Sequence, residues 1–238
     1  MLQIFQISDT HLGMASEKRI AEAMCLADTA DIIIHCGDYC GGRHGALSVK
    51  TTAALMRGLF PDTPILTVLG NHDYWGTRSQ AGFDFAYGEI LETFDKHNIH
   101  LLDTDGPYVT ECGVLFAGHT GWYSNESVRT LVNDTNFLPS HMEGLPVHEY
   151  LRRISDDAAI DTIMESNLFE VNTKVWVSHF GVINADKVYG GNVKLGHLAQ
   201  QAKFTVFLEG HEHVRKTGPL VYQSGSDYGK PQGQTVIV

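Results

Sequence analysis

The stretch QIFQISDTHLG, residues 3–13, contains an apolar run that stops directly before an aspartate and a histidine, Asp9 and His11. Four later apolar runs also stop before histidine, aspartate or asparagine: ADIIIHCGD (30–38), PILTVLGNH (64–72), KVWVSH (174–179) and FTVFLEGHEH (204–213). A short apolar run between turn residues is typical of a strand buried on both faces, as in a parallel sheet. Ligands bind beyond the carboxyl ends of such strands. The pattern therefore predicts candidate ligating side chains along one edge of one sheet.

The length and composition predict one α/β domain over residues 1–238. Of the residues, 43% are hydrophobic and 19% are charged, as in an ordinary globular protein. No apolar run approaches the roughly 20 residues that span a bilayer, so we expect no membrane segment. The start, MLQIFQIS, lacks the basic region and small-residue cleavage site of a secretory signal. We therefore expect a cytoplasmic protein.

The charge and the cysteines exclude some functions. A formal net charge of −11 argues against stable binding of duplex DNA through its phosphates. Phosphate substrates stay open, because bound divalent cations can reverse the local field. The four cysteines form no CxxC pair, and we expect them to be buried small apolar residues.

Helical and strand-like segments alternate along the chain. Strands are predicted at 2–7, 31–36, 65–69, 174–178, 204–208, 220–223 and 235–238, and helical segments at 17–30, 46–60 and 147–168, with further helix and strand through 84–102. From Pro107, two short strand-like pieces with Gly113 between them indicate a hairpin at a sheet edge. Residues 119–146 are polar and predict a long surface loop inserted in the domain.

The polar residues at the run ends have the spacing of a two-metal hydrolase: DxH, GD, GNHD, a single histidine, then GHxH. Carboxylate, imidazole and amide ligands without thiolate suit Mn first, with Fe, Zn, Ni or Mg as alternatives. One carboxylate can bridge two ions that engage the same phosphoryl group. Each motif alone is weak evidence, because a lone histidine such as His179 is more often structural. Five motifs in order, each after its own apolar run, are hard to explain that way.

As a set, from SDTHLG (8–13) to GHEH (210–213), these motifs closely resemble those of the calcineurin-like metallophosphoesterases. The resemblance implies a four-layer α-β-β-α sandwich, with two mixed sheets flanked by helices and the motifs on loops at strand ends. It implies that Asp38 bridges two divalent metal ions. The ligands of one ion would be Asp9, His11 and His213, and those of the other would be Asn71, His179 and His211.

The same resemblance implies in-line attack on phosphorus by a metal-bound hydroxide. His72, which is not a ligand in the family, would stabilise the transition state or protonate the leaving oxygen. Asp73 would hydrogen-bond His72 and fix its tautomer. Two simpler interpretations stay open: Asp73 caps its loop, and His72 only holds the substrate.

Departures from the family's branches bear on the substrate. Protein serine/threonine phosphatases carry GDxxDRG and GNHE, whereas this chain has GDYCGGR (37–43) and GNHD. Arg43 is therefore out of register, although it can still contact a substrate phosphate. SDTHLG resembles the start of DNA-repair nucleases, but those are longer and carry extra DNA-binding segments.

We therefore favour a small phosphodiesterase acting on a nucleotide-like or other small diester. The alternatives are a nuclease on single strands or DNA ends, and a phosphomonoesterase; retention of His72 and all predicted ligands argues against a non-enzymatic scaffold. The expected substrate contacts are Asn71, Arg43, Tyr74 and Trp75. Tyr74 and Trp75, with Trp122 and Tyr123, either form an aromatic rim for a nucleobase or plug the sandwich edge.

Overall fold

The computed structural model describes residues 1–41, 45–122, 134, 136–183, 190–213, 216–218, 221–223, 226–227 and 230–238. In chain order its elements are β1 (Gln3–Ile7), α1 (Glu17–Met24), β2 (Ile32–Cys36), α2 (Gly45–Leu59), β3 (Ile65–Val68), α3 (Gln80–Lys96), β4 (His100–Leu101), α4 (Leu102–Asp105), β5 (Tyr108–Val109), β6 (Val114–His119), β7 (His141–Met142), β8 (Leu145–Pro146), α5 (Val147–Ser166), β9 (Thr173–Ser178), α6 (Val193–Gln201), β10 (Val206–Glu209), β11 (Lys216–Thr217), β12 (Val221–Gln223), β13 (Ser226–Asp227), β14 (Lys230–Pro231) and β15 (Gln234–Ile237).

The strands form two mixed sheets. The first sheet has the order β15-β1-β2-β3-β4, in which β15 is antiparallel to β1 and the other pairs are parallel. The second sheet has the order β11-β12-β10-β9-β6-β5, with parallel pairs in the middle and an antiparallel pair at each edge. Parallel neighbouring strands end at the same edge of a sheet. In each sheet, the loops that carry the sequence motifs therefore lie at one edge.

The central strands of both sheets are buried on both faces, which explains why they are largely apolar. In β2, Ile33 packs in a cluster with residues of α1, α2 and α3 on one face. Its neighbours Ile32 and Ile34 point the other way and join Val175 and Val177 of the second sheet. The far face of the second sheet packs on α5 and α6. The predicted four-layer sandwich is confirmed.

The prediction of one sheet edge, made from the apolar runs alone, is wrong. The runs at residues 3–7, 32–36 and 65–68 are β1, β2 and β3 of the first sheet, whereas β9 and β10 belong to the second. Apolar runs reveal burial but not pairing partners, because pairing depends on contacts distant in sequence. The two-sheet arrangement implied by the family resemblance is the one observed.

Several predicted elements differ in detail. The helix predicted at 17–30 ends at Met24 and continues as one 3-10 turn, Cys25–Ala27. The sequence pattern missed α6, which begins after Asn192, whose side chain accepts a hydrogen bond from the backbone N–H of Leu195. No helix within the described ranges is both long and apolar enough to cross a membrane.

The loop predicted at 119–146 is only partly a surface loop. Its residues 123–133 and 135 lie outside the described residues. The remainder includes the end of β6 and the β7–β8 hairpin, and Leu138 and Met142 are buried with Trp122 in an aromatic cluster. The composition indicated a polar segment, but its few apolar residues, Leu138 and Met142 among them, pack into the protein interior.

The expected burial of the cysteines holds for two of them. Cys36 and Cys40 are buried, whereas Cys25 and Cys112 are exposed, so the prediction was wrong for those two. Cys25 lies in the 3-10 turn after α1, and Cys112 lies in the turn of the β5–β6 hairpin.

Asp103, on α4, joins the two sheets at the edge that carries the motifs. One carboxylate oxygen accepts the backbone N–H of Leu69, just after β3, at 3.0 Å. The other accepts the backbone N–H and the hydroxyl of Thr120, just after β6, at 2.7 and 2.9 Å. The Asp103 side chain is 3% exposed, so its removal would leave these donors buried without a hydrogen-bond acceptor.

We expect Asp103→Ala to lower the free energy of unfolding by about 2–4 kcal/mol, because each buried N–H left without an acceptor costs about 1–3 kcal/mol. Urea denaturation followed by circular dichroism measures this. Asp95→Ala, an equal charge change at an exposed position of α3, should shift stability by less than about 0.5 kcal/mol. Equal losses in the two variants would contradict the role given to Asp103.

Candidate metal centre

The loops after five strands bring the predicted ligands together. These strands are β1, β2 and β3 of the first sheet and β9 and β10 of the second. Three groups of side chains have ligand atoms within 4.8 Å of one another: Asp9, His11 and His213; His11, Asp38 and His72; and Asp38, His179 and His211. Asn71 joins the last group through its amide oxygen, 3.1 Å from His179 Nε2. The structure thus brings together every side chain predicted as a ligand.

The first cluster consists of Asp9, His11 and His213. His213 Nε2 lies 3.2 Å from Asp9 Oδ1 and 3.2 Å from His11 Nε2. His11 Nε2 lies 3.7 Å from the same carboxylate oxygen. Ligands bound at about 2.1 Å lie about 3.0–3.4 Å apart around one ion in octahedral or tetrahedral geometry. The spacing of the first cluster is close to that of a coordination shell.

The second cluster consists of Asp38, Asn71, His179 and His211. His179 Nε2 is at its centre, 3.1 Å from Asn71 Oδ1 and 3.1 Å from His211 Nδ1. Asp38 Oδ2 lies 3.4 Å from the same nitrogen. These separations again match neighbouring ligands of one ion.

Asp38 connects the two clusters through one oxygen. Besides its 3.4 Å separation from His179 Nε2, Asp38 Oδ2 lies 4.0 Å from His11 Nε2. The other oxygen, Oδ1, is held outside the clusters by the backbone N–H of His72 at 3.0 Å. A carboxylate oxygen that faces both clusters is in the position of a bridging ligand.

The inward oxygens are buried without hydrogen-bond donors. Among the described residues, no donor in hydrogen-bond geometry reaches Asp9 Oδ1 or Asp38 Oδ2. Their partner oxygens are satisfied, since Asp9 Oδ2 accepts from the backbone N–H of His211 at 3.0 Å. A buried carboxylate needs a hydrogen-bond donor or a cation. The residues present therefore fit divalent cations.

Backbone carbonyls orient two of the imidazoles. His179 Nδ1 lies 2.8 Å from the carbonyl oxygen of Cys36, and His11 Nδ1 lies 3.0 Å from that of Cys40. A neutral imidazole that donates from Nδ1 presents the lone pair of Nε2, and metal-binding histidines are usually held in this way. Both Nε2 atoms face the clusters.

The backbone at the predicted ligands is strained. Of eight non-glycine residues with positive φ among those described, five are predicted ligands: Asp9 (50°), His11 (44°), Asp38 (59°), His211 (68°) and His213 (56°). Such conformations cost about 1–3 kcal/mol each and persist only where the surroundings impose them. Concentrated strain of this kind is typical of functional sites.

The electrostatics of the second cluster centre on Asp38 and His179. Burial opposes charge on both groups, but the nearby Asp38 carboxylate overcomes this and raises the pKa of His179 to about 9. Despite burial, His179 and His72 in turn hold the pKa of Asp38 well below its usual value. In the metal-free protein the cluster therefore binds a proton at His179. A cation that binds here must displace that proton, so metal binding and proton release are linked.

His72 lies beside the shared carboxylate and forms one of the three close groups, with His11 and Asp38. Its Nε2 atom is 3.9 Å from Asp38 Oδ2, and its ring stacks on Trp75 with centroids 3.5 Å apart. Burial, more than any neighbouring charge, lowers the pKa of His72 to about 4. The imidazole is therefore neutral at neutral pH in the metal-free protein.

The predicted hydrogen bond between Asp73 and His72 is wrong. His72 Nδ1 is buried and has no hydrogen-bond partner among the described residues. The Asp73 carboxylate instead accepts four backbone N–H groups, at 2.8–3.1 Å: those of Asp38, Tyr39, Cys40 and Gly70. These bonds support the simpler interpretation that Asp73 caps its loop. They also join the turn that carries Asp38 to the turn that carries Asn71.

The aromatic side chains expected at a rim are mostly buried. Trp75 is 8% exposed and Trp122 is 1% exposed, and both belong to one apolar cluster with Phe137 and Leu138. Tyr74 packs on Phe83 and Tyr87. A nucleobase cannot stack on faces that are already covered, so the packing interpretation is supported for Tyr74 and Trp122. Arg43 and Tyr123 lie outside the described residues.

Sequence reasoning missed Asp134. This fully buried residue accepts hydrogen bonds from Asn71 Nδ2 and from Trp75 Nε1, both at 2.9 Å on the same oxygen. It lies in a polar stretch, VNDTN, that resembles any solvated loop. No strand or helix period marked it, so no sequence signal distinguished it from its neighbours.

Fold and site together define a metal-binding protein built on two packed mixed sheets. The family profile of the calcineurin-like phosphoesterases matches residues 2–215. The chain belongs to the calcineurin-like phosphoesterase family. Members of this family use divalent metals, and membership implies a phosphoester hydrolase.

Solved structures share the fold at low sequence identity. Phosphopantetheinyl hydrolase from Mycobacterium tuberculosis is 16% identical with a TM-score of 0.68, over 98% of this chain and 95% of that one. TT1561 of Thermus thermophilus is 13% identical with a TM-score of 0.62, over 94% and 89%. A 5'-nucleotidase precursor from the same organism is 16% identical with a TM-score of 0.50, over 100% of this chain and 54% of that one. The comparison with curated proteins gives no match.

We expect Mn²⁺ to stabilise the protein, because an ion that binds only the folded state shifts the unfolding equilibrium. A concentration of about 100 times Kd contributes about 2.7 kcal/mol per site. For a chain of this length that raises Tm by about 5–10 °C per site, measurable by calorimetry. Chelator should reverse the shift.

Asp38→Asn should lose most of this stabilisation, because it removes the charge shared by the two clusters. Asp28→Asn, the same change at an exposed position beyond α1, should retain it. A full Mn²⁺-dependent rise in Tm for Asp38→Asn would show that Asp38 is not needed to hold the ions.

Proposed function

We propose that the chain is a dinuclear metal-dependent phosphodiesterase acting on a nucleotide-like or other small diester. The observation that carries this proposal is Asp38 Oδ2, which faces both clusters at 3.4 Å from His179 Nε2 and 4.0 Å from His11 Nε2. Two ions that share this oxygen can engage one phosphoryl group. The cytoplasmic location stays a prediction of the sequence.

The ligand assignment follows the clusters. Asp9, His11 and His213 would hold one ion, while Asn71, His179 and His211 would hold the other, with Asp38 common to both. Two such cations would supply Lewis-acid stabilisation of the phosphoryl oxygens and would activate a water molecule. Mixed nitrogen and oxygen ligands without thiolate favour Mn²⁺ over soft metals.

We assign His72 to the leaving group or the transition state. Its Nε2 atom faces the oxygen of Asp38 that the clusters share, and its stack on Trp75 fixes the plane of the ring. A neutral imidazole protonated at Nε2 can donate a hydrogen bond to an oxygen that gains charge as the ester bond breaks. The side chain needs no carboxylate partner for this role, which agrees with the observed use of Asp73 elsewhere.

The preference for diesters rests on charge. A phosphomonoester is a dianion near neutral pH, and enzymes that bind it commonly use arginine on its free oxygens. Arg43, the one candidate from the sequence, is out of register with the protein-phosphatase motif. A diester carries a single negative charge and depends less on such a residue.

The test of the proposed function compares bis(p-nitrophenyl) phosphate with p-nitrophenyl phosphate in the presence of Mn²⁺. We expect turnover of the diester, loss with chelator and recovery when Mn²⁺ is restored. Faster turnover of the monoester would overturn the diester preference while keeping a phosphoesterase. Inertness toward both, with two Mn²⁺ bound, would overturn the phosphoesterase role. Cyclic nucleotides, dinucleotides and labelled oligonucleotides then define the substrate class.

His72→Ala should bind Mn²⁺ like the wild-type protein and lose about 10²–10³-fold in kcat, the usual cost of removing one hydrogen-bond donor to an oxygen that gains charge. Calorimetric titration with Mn²⁺ and steady-state kinetics on the diester separate the two effects. His97→Ala, a partly exposed histidine after α3, is the matched control and should leave both unchanged. Wild-type turnover in His72→Ala would remove its proposed role, and loss of bound Mn²⁺ would make His72 a ligand.

A further inference from the structure

Asp134 and Phe137 contact the proposed site from the segment that follows β6. Asp134 is fully buried, and one of its oxygens, Oδ1, accepts two hydrogen bonds of 2.9 Å, from Asn71 Nδ2 and Trp75 Nε1. The backbone N–H of Gly76 donates to the carbonyl oxygen of Phe137 at 3.1 Å. Both side-chain donors to Asp134 therefore come from the loop after β3, which also carries His72.

The bond to Asn71 determines which end of its amide faces the second cluster. An amide has a donor nitrogen and an acceptor oxygen, and only the oxygen can bind a cation. Because Asp134 accepts from Nδ2, the oxygen of Asn71 points to His179 Nε2, 3.1 Å away. A rotated amide would place its N–H groups against the cation and its oxygen against a carboxylate.

The bond to Trp75 acts on His72. The indole ring lies between two others, with centroids 3.5 Å from that of His72 and 4.4 Å from that of Phe137, and the interplanar angle is 22° for each pair. Stacking alone lets the rings slide, whereas the hydrogen bond at Nε1 fixes the indole at its edge. Asp134 therefore restrains the ring on which His72 rests.

We infer that Asp134 is a positioning residue that couples the second cluster to His72. One oxygen atom orients the amide of a proposed metal ligand and anchors the ring stack behind His72, so the two parts of the site are set relative to each other. This inference rests on the proposed function, because it takes Asn71 as a ligand and His72 as the group that acts on the substrate.

The test compares Asp134→Ala and Asp134→Asn with wild type. In the asparagine variant the side-chain oxygen can still accept from both donors. Three properties are measured: Mn²⁺ binding by calorimetry, kcat and KM on the diester, and the indole N–H resonances in ¹⁵N NMR spectra. Asp156→Ala is the matched control, because Asp156 also accepts from an asparagine amide, that of Asn192 at 2.6 Å, and Asn192 is not a proposed ligand.

We expect Asp134→Ala to weaken one of two Mn²⁺ sites by about 10–100-fold, the usual effect of losing a group that orients a ligand. It should also lower kcat more than it raises KM and shift one indole N–H signal. Asp134→Asn should recover most of the affinity and turnover, and Asp156→Ala should resemble wild type. If the alanine variant does not fold, Asp134→Ser keeps a polar group there but is too short to reach both donors, and the same losses are expected.

Two Mn²⁺ sites of wild-type affinity and an unchanged kcat in folded Asp134→Ala or Asp134→Ser would overturn the inference. Equal losses in Asp156→Ala would also overturn it, because they would show a general effect of removing an acid that accepts from an asparagine amide. Failure of the proposed function gives a different result: wild-type protein then lacks two Mn²⁺ sites or diester turnover, and the inference falls with it.

Discussion

Two buried carboxylates, Asp9 and Asp38, are the constraint on which the rest of this structure depends. Each directs one oxygen into a group of imidazoles and is held through the other by a backbone N–H. Burying two negative charges near each other is unfavourable, and Asp38 itself opposes ionisation of Asp9. The surrounding histidines offset part of this cost in the metal-free protein. Divalent cations would offset more, so the folded site is built to bind them.

This arrangement explains why the loops are strained. A ligand directly after a buried strand must turn back across the strand end, and five of the predicted ligands do so with positive φ. Asp73 stabilises the turns by accepting four backbone N–H groups from two loops. Gly70 lies where the two loops touch, since a Cβ there would meet Asp38 Oδ1 at 2.1 Å. The glycine before Asn71 is thus required by close approach rather than by its own dihedral angles.

The sequence could predict the strands and the side chains that meet in the two clusters because both depend on local pattern. An apolar run and the polar residue that ends it are adjacent in the chain, and the fold only has to bring such ends together. It could not predict features that depend on contacts between residues distant in sequence. The division of the runs between two sheets, the hydrogen bonds of Asp73 and the contact of Asp134 with Asn71 all depend on partners distant in sequence. The burial of Trp122 and Tyr74 could not be predicted either. The sequence near a site looks the same whether an aromatic side chain contacts the substrate or packs in the interior.

The aromatic cluster changes how the segment after β6 should be understood. A polar loop beside an active site is naturally taken as a cover that meets the substrate. Its described apolar residues instead face inward: Leu138 and Met142 pack with Trp75 and Trp122, and Phe137 stacks on the ring behind His72. The described part of this segment is held by such contacts and has little freedom to open and close over a ligand. Its contribution is therefore rigidity at His72 and Asn71, which keeps the imidazole and the amide oxygen in place relative to the shared carboxylate of Asp38.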